Sequence, residues 1–437
     1  MNLSTQPYKG ARDFYPEDKR LQKWMFAKWR EVVESYGYEE YDAPVLEPTE
    51  LYASKTSDEI VNEQTYSFTD RGGRNVTIRT EMTPSVSRMV AGKRQELPYP
   101  MRLYSIPNLW RYERPQRGRL REFWQLNVDL FGVNNIYGDF EMLQISNSIM
   151  KSFGAKSNMF KIKINSRKLV NYIFEDYFKL NQVQAKSLIQ LFDKKNKIEN
   201  TEFVGKLNAL LTPSQKEQNL ADDILRLFSA KNIESLPSQL NVCSSVNDLK
   251  SVLNLCSNDG ITNIEFDISL MRGFDYYTDI VFEVFDNHPE NNRSMFGGGR
   301  YDGLVGAFGV EPISTVGFGM GDATLYNFLL LHELMPKQKS ETDVYVVLIG
   351  NVFGNAHKLI NLLREMDLNV AVDFSGNKID KQIKMAIKKG IRYVLFIGEQ
   401  EIAENQFTLK DLLLSKEEKH SLERVASIIK DYRNNKL

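Results

Sequence analysis

The chain has 437 residues, 42% of them apolar, with a formal charge of -1. That is long enough for about three domains with sizeable cores, but any RNA contact must be a local patch, because the net charge offers no global attraction. Two cysteines (Cys243, Cys256) without partners at metal-ligand spacing, and only four histidines, argue against structural zinc and a disulfide scaffold. No apolar run approaches the roughly 20 residues that span a bilayer, and the polar opening MNLSTQPYKG holds no signal-peptide core, which points to a cytoplasmic protein.

The first predicted helix runs from about Glu17 to Tyr36. Leu21, Trp24, Met25, Trp29, Val32 and Val33 make its apolar stripe, Pro16 precedes an acidic first turn, and Gly37 ends it. Beyond Pro44 a polar stretch leads to a turn at Phe68 to Gly73 and a short strand at Asn75 to Arg79. Thr83-Pro84 then reads as an N-cap followed by proline at the first helical position, two residues after Glu81.

Arg102 to Gly132 reads as a long hairpin whose tip holds Pro115, Arg117, Gly118 and Arg119. On its return strand Trp124, Leu126, Val128 and Leu130 share one face, and Phe123, Gln125, Asn127 and Asp129 the other. A solvent-facing strand favours charge and threonine, so the second row suits the floor of a pocket that hydrogen-bonds a small polar molecule. The outgoing strand ends in Arg111, Glu113 and Arg114. A guanidinium can grip a phosphate bidentately, and a carboxylate on the same face can accept from an exocyclic amine, so one nucleotide could use both. The competing reading is an exposed, salt-bridged hairpin.

Residues 168–250 are helical in character and rich in Lys, Asn and Gln, and they hold no catalytic constellation. Lys194, Lys195 and Lys197 fit a solvated helix end or a phosphate contact. Leu270 to Tyr277 reads LMRGFDYY, followed by a β-branched and aromatic strand, Thr278 to Glu283. Arg272 therefore stands at the start of a strand, where a side chain can project into a pocket, or else pairs with Asp275 or Asp279 at the surface. After a polar linker, 336–342, short runs at Val344 to Gly350, Leu368 to Phe374 and Tyr393 to Gly398 alternate with amphipathic helices. This pattern predicts a small α/β domain with a largely parallel sheet. In the helix after Gly376, Lys378, Lys381, Lys384 and Lys388 lie opposite Ile379, Ile383 and Ile387, as a solvated face or an RNA phosphate contact.

Five ordered segments resemble histidyl-tRNA synthetases, which are class II aminoacyl-tRNA synthetases. KGARDFYP (Lys9 to Pro16) is similar to the family's opening, GYEEYDAPVLE (Gly37 to Glu47) to motif 1, and the Arg-Tyr-Glu-Arg-Pro hairpin with its Gly-Arg-Leu-Arg-Glu-Phe return to motif 2. LMRGFDYYT resembles the signature of the histidine enzyme, and FGGGRYDGL (Phe296 to Leu304) a further family segment. The resemblance implies an α+β catalytic domain with a central antiparallel sheet over 1–335, interrupted by a helical insertion domain at 168–250, and an α/β anticodon-binding domain over 343–437. It implies a homodimer that joins L-histidine to ATP, with Mg2+, and transfers the histidyl group to the 3' end of tRNA(His), and it implies no metal site of the chain's own.

By the same resemblance, Arg111, Gln125 and Arg272 are catalytic. Glu81, Thr83, Gln125, Arg111 and Arg272 hold the histidine backbone, Asp129 and Tyr277 take the two imidazole edges, and Tyr276 and Tyr301 close the pocket. Arg111, Glu113 and Phe123 bind ATP, with Arg119 or Arg121 reaching its outer phosphates. One departure is Thr324, which stands where the family's motif 3 carries an arginine, within Val316 to Thr324. Smaller ones are Thr80 and Met82. They leave room for a histidine-binding regulatory subunit without ligase activity, and a class II synthetase for threonine, proline or glycine is the third alternative.

Overall fold

The structure is a computed structural model that describes residues 3–434 except 54–63, 194, 196–197, 272–275, 292 and 338. The chain divides into two compact units, Met1–Met335 and Pro336–Leu437.

In chain order the strands of the first unit are β1 (Glu39–Glu40), β2 (Leu46–Pro48), β3 (Tyr66–Thr69), β4 (Asn75–Ile78), β5 (Met101–Ser105), β6 (Asn108–Trp110), β7 (Glu122–Phe131), β8 (Phe160–Ser166), β9 (Ile264–Phe266), β10 (Ile280–Asp286), β11 (Ser294–Arg300) and β12 (Thr315–Gly321). A nine-stranded sheet runs in the order β1-β5-β7-β12-β11-β10-β8-β9, with β6 also on β7, and β2-β4-β3 make a separate small sheet. The large sheet is antiparallel through its middle and parallel only in the edge pairs β1 with β5 and β8 with β9. Its centre is antiparallel, as the resemblance implied, and only its margins are mixed.

The long helix Pro16–Ser35 packs one face of this sheet, burying Met25, Trp29, Val32 and Val33. Leu126, Val128 and Leu130 of β7 join the same core, as do Leu169, Phe174, Leu188, Phe203 and Val252 of the helical region after β8. The predicted outgoing strand is two strands, β5 and β6, broken at Ile106 and Pro107, and Arg111 to Pro115 lie beyond its end in irregular backbone. At the other end of the hairpin, the tip closes through a Gln116–Arg119 bridge, with Gly118 at φ 75°, a left-handed turn that glycine adopts without strain. The helix after Glu81 spans Thr83–Gly92 with Met82 in the cap position, so Thr83 is its first residue and not its cap. That places the Thr83 side chain on the pocket wall.

In the second unit the strands are β13 (Val344–Ile349), β14 (Val370–Val372), β15 (Tyr393–Gly398), β16 (Phe407–Asp411) and β17 (Lys416–His420). The order is β14-β13-β15-β16-β17, parallel over the first three and antiparallel where β16 joins β15 and β17. The sheet is therefore mixed, not largely parallel, because the polar hairpin after Gln406 carries no run of β-branched residues to announce it. The lysine helix, Ile379–Lys388, buries Gln382 and Ala386, while Ile387 is 58% exposed. Its apolar face is rotated from the expected isoleucine row, because Gln382 bonds the Asn377 carbonyl at 2.6 Å and Ala386 allows close packing. Lys381, Lys384 and Lys388 are exposed.

Candidate active site

A pocket with about 400 Å³ of empty space, part of it open to solvent, lies on the face of the sheet opposite the long helix, lined by Glu81, Thr83, Arg111, Gln125, Asn127, Asp129, Tyr276, Tyr277 and Tyr301 with Gly297 of β11 and Gly317, Phe318 and Gly319 of β12. Strand alternation puts Gln125, Asn127 and Asp129 on this face while Leu126 and Val128 enter the core. β12 lies beside them, with Gly317 opposite Asp129, Gly319 opposite Asn127 and Gly321 opposite Gln125. A Cβ at Gly319 would stand 2.9 Å from the Gln125 amide, and one at Gly317 would strike the Asp129 carboxylate. Glycine at both positions lets the polar row of β7 lie over its neighbour.

Asp129 is strongly perturbed. One carboxylate oxygen accepts a short hydrogen bond from the Tyr301 hydroxyl; the other has no hydrogen-bond partner among the described residues. Burial raises its pKa from 3.8 to about 7, against the opposing effect of the Tyr301 bond. Burial and the nearby Asp129 charge in turn push the Tyr301 phenol well above its usual range. A buried, half-satisfied carboxylate costs stability and calls for a donor. Tyr276 donates to Glu81 at 3.2 Å, and its ring meets those of Tyr277 and Tyr301 at centroid distances of 4.8 and 5.7 Å, forming one wall.

At the pocket mouth Arg111 Nε donates to the Thr80 carbonyl at 3.0 Å, and its guanidinium stands 5.5 Å from the centre of the Phe123 ring. Glu113 pairs with Arg119 at 3.6 Å and is not part of the pocket lining. Arg121 is placed differently from its expected reach toward phosphates. It lies on the Tyr112 ring at 3.9 Å, donates to the Glu113 carbonyl at 3.1 Å and to the Tyr8 hydroxyl at 3.0 Å. Arg79 is held by Asp42 and by the Ala43 and Asn108 carbonyls. Arg272 lies outside the described residues, as do Lys194 and Lys197. Lys195 lies near the Phe192 and Phe203 rings. Thr324 donates to the carbonyls of Met295 and Gly321.

Residues 10–324 match the histidyl-tRNA synthetase family, and residues 343–432 match an anticodon binding domain. The chain belongs to the histidyl-tRNA synthetase family. It is 45% identical over 413 residues to the histidine–tRNA ligase of Leptospira biflexa, covering 94% of each chain. Against that of Haloarcula marismortui it is 35% identical over 408 residues, 92% of this chain and 93% of the relative. The histidyl-tRNA synthetase of Nostoc sp. PCC 7120 shares the fold, with a TM-score of 0.80 at 24% identity, over 99% of this chain and 100% of that one. The apo S. aureus histidyl-tRNA synthetase aligns with a TM-score of 0.73 at 25% identity, over 98% and 100%.

Sequence reasoning did not single out Asn127 as a ligand although it named its row. The glycines within Val316 to Thr324 suit a strand packed closely on a ligand, and Gly317 and Gly319 do lie on the pocket floor, whereas Gly297 was given no such role although the glycine run of β11 was the available signal.

Proposed function

We propose that the chain is a histidine–tRNA ligase, joining L-histidine to ATP and passing the histidyl group to the 3' end of tRNA(His). The observation that carries this is the buried Asp129 carboxylate, whose second oxygen lacks a partner among the described residues, at the end of a pocket walled by tyrosines. An imidazole N–H supplies the missing donor, and an apolar isostere leaves the carboxylate unsatisfied, a form of discrimination that reaches about 10⁴-fold. Tyr277 takes the second imidazole edge, and Glu81, Thr83 and Gln125 hold the α-amino and carboxylate ends.

The histidine carboxylate attacks the α-phosphorus of ATP in line and pyrophosphate leaves. The substrate brings its own nucleophile, so the residues orient the reactants and stabilise charge. Arg111 at the mouth holds the α-phosphate beside the attacking carboxylate, and Arg272 clamps the same centre. Phe123 stacks on the adenine, Glu113 accepts from its amine, and Arg119 meets the outer phosphates. Mg2+ enters with ATP as part of the substrate, held by phosphate oxygens. In the second step the terminal ribose hydroxyl attacks the adenylate carbonyl, its proton passes to an adenylate phosphate oxygen, and the bond from the carbonyl to the phosphate oxygen breaks as AMP leaves. The protein is cytoplasmic and homodimeric in this reading, which the exposed apolar residues Val45, Leu46 and Phe68 support, and the second unit reads the anticodon.

ATP–pyrophosphate exchange with each of the twenty amino acids, without tRNA, tests the reading. Exchange that depends on histidine alone is expected. Absence of exchange, with histidine still raising the melting temperature, would instead favour a histidine-binding regulator.

A further inference from the structure

We infer that Arg12 and Asp322 form a latch that positions the nucleotide-binding end of β7, so that both are positioning residues for ATP; this rests on reading Phe123 and Arg111 as nucleotide ligands. The inference starts from an interruption in the sheet. β7 pairs with β12 only from Phe131 to Gln125, where Gly321 is the last partner. Glu122 to Trp124 keep β6 on one side, but on the other side β12 has already turned into the helix Asp322–Leu331. Backbone N–H groups along such an edge need acceptors.

Two substitutes supply them. The Asp322 carboxylate accepts the Trp124 N–H at 3.0 Å, and the Gly10 carbonyl accepts the N–H groups of Arg121 and Glu122 at 2.9 and 3.2 Å. One belongs to the helix after β12, the other to an N-terminal strap. They are tied together by Arg12, which donates to the second Asp322 oxygen at 2.7 Å and lies 4.9 Å from the Phe14 ring. Phe14 in turn meets Trp124 edge-on at 5.2 Å. Gly10 has φ 88°, and a Cβ there would stand 2.8 Å from the Arg121 side chain, so the strap runs close against the strand.

The Asp322 side chain is 4% exposed and that of Arg12 27%, which makes the pair a shielded contact. Alternation makes the consequence direct. Trp124 faces the latch and Phe123 faces the pocket, so a displaced Trp124 backbone displaces the Phe123 ring. The first turn of the helix, Asp322 to Leu325, offers no cation to the nucleotide, which leaves the base dependent on β7. Misplacement by about 1 Å is enough to cost on the order of 100-fold in rate.

The test is pyrophosphate exchange by the full chain, with separate KM values for ATP and histidine, in Arg12→Met, Asp322→Asn, the double variant, Arg12→Lys and Phe123→Ala. Each single latch variant is expected to raise the ATP KM about tenfold while the histidine KM stays within about twofold. The double variant, which leaves no unpaired buried charge, should be no worse than the weaker single, as coupled partners behave. Arg12→Lys, which keeps the cation, should recover most of the ATP affinity. An unmoved ATP KM in Arg12→Met, beside a raised one in Phe123→Ala, overturns the latch alone, and so does an equal rise in both KM values. An unmoved ATP KM in Phe123→Ala removes the nucleotide reading of the strand, and the latch with it.

Discussion

Asp129→Asn separates recognition from stability, because the two are expected to move in opposite directions. The residue is 3% exposed. The asparagine keeps the shape and can still accept from Tyr301, but it cannot offer a carboxylate to an imidazole N–H. A hydrogen bond to a charged group contributes about 1.5–3 kcal/mol, so the histidine KM should rise about 10- to 150-fold, with the ATP KM nearly unchanged. For stability the sign is reversed. The folded protein holds this proton up to about pH 7, against an ordinary 3.8, and so binds it more tightly than the unfolded chain does. The group's contribution to stability therefore falls as pH rises from about 4 to about 7, then levels off. At about 1.36 kcal/mol per unit, ionisation costs on the order of 4 kcal/mol at pH 8 as an upper bound. The variant should melt higher than the parent at pH 8, with the gap closing toward pH 4. Exchange kinetics and melts at both pH values read both effects. Equal loss of histidine and ATP affinity, or a lower melting temperature at pH 8, would refute the reasoning.

Four further outcomes follow from other contacts. Arg300→Ala leaves Asp139 buried without the guanidinium that now bonds it at 2.5 Å, and should cost about 3–5 kcal/mol in urea unfolding; a loss under about 1 kcal/mol would contradict the role of the pair. Gly317→Ala drives a methyl group into the Asp129 carboxylate; the histidine KM should rise more than about tenfold with the circular dichroism spectrum retained, and a parent-like KM would show that the floor yields. Arg272→Ala should abolish adenylate formation with the melting temperature within a few degrees of the parent, whereas wholesale unfolding would assign Arg272 to the fold. In the second unit Phe374 is 70% exposed and meets Phe353 at 5.3 Å, a platform on which a base can stack. Phe374→Ala should raise the tRNA KM in aminoacylation about 5- to 150-fold, the range of about 1–3 kcal/mol per stacked base, and leave pyrophosphate exchange unchanged; a change in exchange would argue for a different role.

What the sequence disclosed tracks how local the determining contacts are. The polar row of β7 was legible because alternation alone assigns Gln125, Asn127 and Asp129 to one face. The long helix was legible because its stripe, its proline and Gly37 agree. Thr83 was off by one position because Met82, a residue without a capping side chain, takes the cap, and no local rule favours it there. The lysine helix came out rotated because a glutamine and an alanine hold its inner face, and no hydropathy pattern ranks them above isoleucine. The bond from Tyr301 to Asp129 joins residues 172 apart and that from Arg12 to Asp322 residues 310 apart, so neither leaves a trace in spacing.

The glycine floor also limits how this pocket can change. Where a wall is built of side chains, a single substitution can widen or narrow it; here β11 and β12 present backbone, and a Cβ added at Gly298, Gly299, Gly317 or Gly319 meets a neighbouring strand or a β7 side chain. Variation in substrate preference is therefore confined to the alternate residues of one strand and to the tyrosines facing them. A lineage that kept the floor could exchange the ligand's side-chain contacts one at a time without disturbing the bed on which the ligand lies.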